Sequence, residues 1–129
     1  MKISLLCVPI LALVMASNAA ADPAEGIWKT PPDRKNLTSH IEVRRCGDAL
    51  CGKVLRAYDP SGREVKTKNV GKELFWGLRP QGGGTYSDGT AIVPLLNVKA
   101  KAKAQLSGNR MTVTGCKGRI CDSQVWSRL

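Results

Sequence analysis

Two copies of one spacing constrain this chain most. Cys46-Gly-Asp-Ala-Leu-Cys51 and Cys116-Lys-Gly-Arg-Ile-Cys121 are both C-x4-C. Each sits between two runs rich in β-branched and alternating residues: Thr38 to Arg45 and Lys53 to Tyr58 around the first, Arg110 to Gly115 and Ser123 to Arg128 around the second. Each copy therefore reads as a β-hairpin with a four-residue turn. Cysteines flanking such a turn are cross-strand neighbours. Directly opposed residues hold their Cβ atoms roughly 4.5 to 5.5 Å apart, close enough for a disulfide to close with small adjustments. The spacing fits neither the redox motif C-x-x-C nor the common zinc pairings well. Local disulfides, Cys46 with Cys51 and Cys116 with Cys121, are the expectation, and no metal or cofactor is expected.

The remainder also reads as strands. Asn97 to Leu106 alternates without a break, with Val98, Ala100, Ala102, Ala104 and Leu106 on one face and Lys99, Lys101, Lys103 and Gln105 on the other. That is the signature of a strand with one buried and one wet face. Shorter runs at Glu25 to Thr30, Glu73 to Leu78 and Thr90 to Leu96 are separated by Pro31-Pro32, Asp59-Pro60-Ser61-Gly62, Gly82-Gly83-Gly84 and Ser107-Gly108-Asn109. These separators are turn and loop punctuation. Seven or eight short strands and no convincing helix predict an all-β fold, a small antiparallel barrel or sandwich. With 129 residues there is room for one such domain.

The first 21 residues are read apart from the fold. Lys2 supplies a positive charge, Leu5 to Ala16 is apolar, and Ala19-Ala20-Ala21 ends a small-residue stretch in the A-x-A pattern. This is an export signal with cleavage expected after Ala21. The apolar run is about a dozen residues, short of the roughly 20 needed to span a bilayer. Removing 21 of the 129 residues leaves 108, and losing only Lys2 among the charges lowers the formal charge from +10 to +9. Cys7 leaves with the signal, so five cysteines become four. An even set in a small exported domain fits disulfides formed in an oxidising compartment, the periplasm or the exterior.

Three inward alanines in a row, Ala100, Ala102 and Ala104, leave volume that something else must occupy. Either the tryptophans Trp28, Trp76 and Trp126 fill it, or the alanines together with Trp76 line a cavity for a ligand. Gly26-Ile27-Trp28 at the start of the first strand resembles the G-x-W signature of the lipocalin superfamily. In that superfamily the tryptophan plugs one end of the barrel and a basic residue from the final strand lies across the indole, which burial and cation-π attraction both favour. The resemblance assigns that role to Arg128, and so predicts a barrel-end cluster of Gly26, Trp28 and Arg128 in a calycin-type barrel.

Several segments read together carry a closer resemblance: Asp22-Pro23, Gly26-x-Trp28-x-Thr30, Cys46-Gly47-x-x-Leu50-Cys51-Gly52, Trp76-Gly77-Leu78 and the ending Ser123-Gln124-x-Trp126-x-Arg128. Together they are similar to the exported bacterial proteins called domain of unknown function 2147. The resemblance covers nearly all of residues 22–129 and implies a lipocalin-like barrel in the periplasm with no established activity. The chain departs from that pattern at Tyr86-Ser87-Asp88-Gly89, where the following turn is shortened, and in carrying the second cysteine pair.

No motif assigns a reaction. His40 is the sole imidazole, and Glu42 shares its strand face, but nothing places a nucleophile beside them. No phosphate-binding glycine loop or zinc-protease motif occurs, so catalysis is not expected. The basic residues instead suggest an acidic partner: Arg44, Arg45, Lys53 and Arg56 on the first hairpin, Lys66, Lys68 and Lys72 after it, and Lys99, Lys101 and Lys103 on one strand face. An exported protein with few aromatics for base stacking is not expected to bind nucleic acid. Lipid head groups, lipopolysaccharide or another anionic envelope component suit the compartment better. Two classes stay open: a monomeric binding barrel for such a component or for a small apolar ligand, and a fully packed envelope or stress-related protein acting through protein contacts.

Overall fold

The computed structural model describes residues 3–11, 21–93 and 98–129. Residues 12–16 of the apolar run, the Ala19-Ala20 part of the A-x-A pattern and residues 94–97, where the expected strands Thr90 to Leu96 and Asn97 to Leu106 meet, lie outside them. Residues 3–11 carry no regular secondary structure, and Cys7 is an exposed free thiol.

Alternation dictates the elements. The described residues form nine strands and no helix: β1 (Gly26–Lys29), β2 (Thr38–Cys46), β3 (Ala49–Tyr58), β4 (Glu64–Val65), β5 (Glu73–Gly82), β6 (Thr85–Val93), β7 (Val98–Ser107), β8 (Arg110–Lys117) and β9 (Ile120–Arg128). All neighbours are antiparallel, in the order β2-β1-β9-β8-β7-β6-β5-β3-β4. A further β2–β3 pairing closes eight of them into a barrel, leaving β4 as a two-residue addition beside β3. The β1–β9 seam is short, Trp28 with Arg128 and Lys29 with Ser127, and the Ile120 to Trp126 part of β9 pairs with β8 alone.

The cysteine hairpins are tighter than their spacing suggests. β2 and β3 are joined by Gly47-Asp48 alone, and β8 and β9 by Gly118-Arg119 alone. Both loops open with a glycine at positive φ, +69° for Gly47 and +61° for Gly118. A glycine at the first of two loop positions matches the turn whose twist suits paired strands. The four-residue turns expected from C-x4-C are thus two-residue turns, because the strands run on past each cysteine. Cys116 stands directly opposite Cys121, whereas Cys46 faces Ala49 and Cys51 faces Arg44, a diagonal relation.

An eight-stranded barrel has an interior just wide enough for side chains to fill. Here Trp28, Ile41, Val43, Leu50, Val54, Phe75, Leu78, Tyr86, Met111 and Trp126 belong to one contiguous buried cluster. The inward residues of β7 behave as their alternation requires: Ala100, Ala102 and Ala104 are buried while Lys99, Lys101 and Lys103 are exposed. Small residues on one wall make room for large rings from the others. Phe75 and Trp126 meet in that space with ring centroids 6.1 Å apart.

Candidate functional site

The barrel end beside β1 is built from the chain start and the last strand. Trp28 has no solvent exposure, and its indole N–H donates to the Ala24 carbonyl at 2.9 Å. β1 pairs with β9 so that Trp28 is opposite Arg128, whose guanidinium carbon lies 4.3 Å from the indole centroid. The same guanidinium donates to the carbonyls of Glu25, at 3.1 Å, and Pro23. Gly26 is needed there: its φ is +137°, and a Cβ would stand 3.1 Å from Arg128 Nη1. Gly26, Trp28 and Arg128 are therefore brought together.

The sequence reading missed the turn that covers this cluster. Asp22 Oδ1 accepts from the Ala24 amide at 2.8 Å and from the Tyr86 hydroxyl at 2.6 Å. Burial, followed by that bond to Asp22, raises the Tyr86 pKa well above the ordinary phenol value, so the hydroxyl stays protonated and donates. Glu25 closes the turn by accepting from the amides of Asp22 and Arg45. The only sequence trace of this arrangement is Asp22-Pro23 ahead of G-x-W. Its partner Tyr86 is 64 residues away and carries no local signal.

The four proposed ligand contacts are not brought together. Ala100, Ala102 and Ala104 face the interior, but Trp76 is half-buried on the outside of the barrel. It pairs with Thr90, which pairs with the exposed Lys101, and Lys99 Nζ stands 5.8 Å from its ring. Phe75 takes the inward place instead. Trp76 therefore does not fill the core with Trp28 and Trp126, and it does not share a cavity with the alanines. Its ring belongs to a basic outer face that continues past Thr90, Lys99 and Lys101 into a cleft of about 390 Å³, with Lys117 and the Cys116 hairpin on its far side.

A larger cleft of about 710 Å³ lies across the barrel, on the outside of β1, β2 and β3. His40 and Tyr58 make its floor, with ring centroids 4.6 Å apart and a tilt of 45°. Burial, then the charges of Arg56 and Lys29, lower the His40 pKa, only partly opposed by Glu64, so the imidazole is neutral at neutral pH. The bonds described among the residues include none between His40 and Glu42. Two side-chain-capped loops wall the cleft. Asp33 Oδ1 accepts from the amides of Lys35 and Leu37. Asp59 Oδ1 accepts from the Ser61 amide and hydroxyl and from the Arg63 amide, and these bonds hold its carboxyl below the usual range.

Both cysteine pairs are within bonding reach in their own hairpins, with Cα atoms 5.9 Å apart for Cys46–Cys51 and 4.1 Å for Cys116–Cys121. A peptide map made without reduction is expected to recover these two links and neither cross-hairpin link. Any Cys46–Cys116 or Cys46–Cys121 peptide contradicts the local pairing. Among the described residues no group of three or more His, Cys, Asp or Glu converges as a metal site, and no helix is long and apolar enough to cross a membrane.

The sequence profile of the family described as "Uncharacterized protein conserved in bacteria (DUF2147)" matches residues 26–128. No curated protein matches the chain. Among solved structures, a Helicobacter pylori protein titled "Protein HP1028 from the human pathogen Helicobacter pylori belongs to the lipocalin family" aligns with a TM-score of 0.65 over 81% of this chain and 82% of its own, at 16% identity. At that identity the likeness concerns the fold. The profile match begins at the glycine that admits Arg128 and ends at Arg128 itself, spanning the whole closed barrel, and the chain belongs to the DUF2147 family, with a lipocalin-like fold.

Proposed function

We propose that this protein is a non-catalytic, exported, monomeric barrel, starting at Asp22 after cleavage, that binds an anionic envelope component on its outer surface. The observation that carries this reading is the lysine row of β7. Lys99, Lys101 and Lys103 point outward from one strand, and all three are exposed. The ion pairs of the described residues are Arg44–Glu73, Arg56–Glu64 and Arg79–Asp48, so none engages a β7 lysine. Like charges held in a row on a rigid strand repel one another, and an anionic surface relieves that repulsion. Trp76 beside Lys99 adds an amphipathic ring of the kind that settles at the boundary between head groups and acyl chains. The packed aromatic core argues against the alternative of a small apolar ligand held inside the barrel.

The test is cosedimentation with vesicles. Binding to vesicles containing phosphatidylglycerol is expected at low salt, none to pure phosphatidylcholine, with steep loss as salt rises because exposed charges are screened beyond roughly 8 Å at physiological ionic strength. Each basic residue near an anionic surface contributes about 1 kcal/mol, so the triple variant Lys99→Gln/Lys101→Gln/Lys103→Gln should bind on the order of a hundredfold more weakly. Equal binding to both vesicle types, or a triple variant indistinguishable from the parent, overturns the proposal.

A further inference from the structure

We propose that the outer cleft over β1, β2 and β3 is a carbohydrate-binding site that seats a pyranose ring against Tyr58 and His40. This site is separate from the lysine row: β2 and β7 lie four strands apart in either direction around the barrel, so the two readings stand or fall independently.

Three observations carry it. The first is the floor. The chain has only six Phe, Trp and Tyr residues and one histidine. Trp28, Phe75, Tyr86 and Trp126 are buried in the core, yet Tyr58 and His40 meet in an open cleft. The positions follow from register. His40 pairs with Lys29 on one side and Arg56 on the other, and Tyr58 pairs with Thr38, so the two rings are diagonal neighbours on one outer face. Ile41 and Val54 next to them point inward. A pair of tilted rings offers the apolar C–H face of a sugar something to pack on that water does not replace.

The second observation is uncommitted hydrogen-bonding capacity. The described hydrogen bonds use none of the side chains of Lys29, Asn36, Thr38, His40 and Tyr58, and the bonds to Asp59 involve Oδ1 and leave Oδ2 as an acceptor. Neutral His40 adds one N–H donor and one acceptor nitrogen. The lining therefore offers both donors and acceptors beside an aromatic floor, which suits a ring of hydroxyl groups, since each hydroxyl both donates and accepts. The lining carries one cation, Lys29, and one anion, Asp59, so charge does not select for an acidic ligand here as it does at β7.

The third observation is rigidity of the walls. The 33–37 loop is tied by two bonds to Asp33 Oδ1 and by backbone bonds between Asp33 and Leu37 and between Asn36 and Asp33. Asn36 sits at φ +57°, a left-handed conformation that asparagine tolerates, and it lines the cleft. The 59–63 turn is tied by the three bonds to Asp59 Oδ1 and by paired backbone bonds between Asp59 and Arg63 and between Gly62 and Asp59. Walls that are already ordered lose little entropy when a ligand enters. The cleft volume, about 710 Å³, falls in the range of small-molecule sites.

The experiment is a glycan array probed with the disulfide-intact protein, followed by titration of the best-retained oligosaccharide with amide and side-chain NMR. Retention of at least one neutral oligosaccharide is expected, with shifts at His40, Tyr58 and Asn36 and none along β7. Tyr58→Ala should weaken that binding on the order of tenfold, as loss of an aromatic platform does, while Tyr58→Phe keeps most of it. Lys101→Gln should leave it unchanged. A thermal melt of each variant separates lost binding from lost fold, and His40→Ala, at a half-buried surface position, serves as the second variant if Tyr58→Ala does not fold. An array that retains no glycan, or Tyr58→Ala and His40→Ala proteins that bind as tightly as the parent, overturns the proposal. Vesicle binding that persists in either case leaves the β7 reading intact.

Discussion

Trp28→Ala is expected to destabilise the barrel by about 3 to 5 kcal/mol, the usual cost of deleting a large buried aromatic ring. The site offers little chance of collapse. Arg128 is held over the indole by two carbonyls, and the turn above is pinned by Tyr86, so the neighbours cannot move in without breaking bonds of their own. Truncation would also leave the Ala24 carbonyl without the indole donor and remove the cation-π partner of Arg128. Against a typical domain stability of roughly 5 to 15 kcal/mol, this is a large share. Urea melts monitored by circular dichroism would read it directly. Arg128→Ala should cost less, because the ring remains buried by other groups. Near wild-type stability for Trp28→Ala would mean that the barrel end is not held by this cluster.

Gly52→Ala should cost about 1 to 3 kcal/mol through overpacking alone. Gly52 faces inward on β3 opposite Phe75, and the phenyl ring occupies the space a side chain at this position would take. A Cβ there would stand 2.2 Å from Phe75 Cε1, 2.7 Å from Cζ and 2.9 Å from Cδ1. Phe75 is itself 1% exposed and packed near Trp126, so the ring has nowhere to swing. The double variant Gly52→Ala/Phe75→Leu should recover part of the loss, since the clash is pairwise and neighbours in contact are not additive. If the single variant melts with the parent, or the double variant shows no coupling, Phe75 does not rest on Gly52. The glycine that closes Cys46-Gly47-x-x-Leu50-Cys51-Gly52 thus has a packing reason as well as a place in a motif.

How much of this was legible in advance depended on whether the cause was local. The face assignment of β7 was legible because period-two alternation over Val98 to Leu106 leaves one register that buries the alanines and wets the lysines. β5 was not legible. Gly77 at φ +65° and Asp88 at φ +62° on the facing strand break the alternation, so Phe75 and Leu78, three residues apart, both point inward while Trp76 points out. Hydrophobicity alone therefore puts Trp76 on the wrong side of the sheet. The hairpin loops were half legible: the cysteine spacing indicated which strands meet, but the positive φ of Gly47 and Gly118 sets the turn at two residues and makes one cysteine pair diagonal.

By itself, then, the sequence determined the all-β class, the family resemblance, the hairpin partners and the sign of the surface charge, because each rests on short-range periodicity, spacing or composition. Only the tertiary structure decided which residues share a site. Closing eight strands brings β9 to β1, so that Arg128 reaches Trp28 100 positions earlier in the numbering, and brings Tyr86 under the Asp22 turn. It carries Trp76 out to Lys99, and it sets the 33–37 and 59–63 loops on either side of His40 and Tyr58. The reason is physical: a strand's pattern records which face is buried, but not which distant strand the closure of the barrel will place beside it.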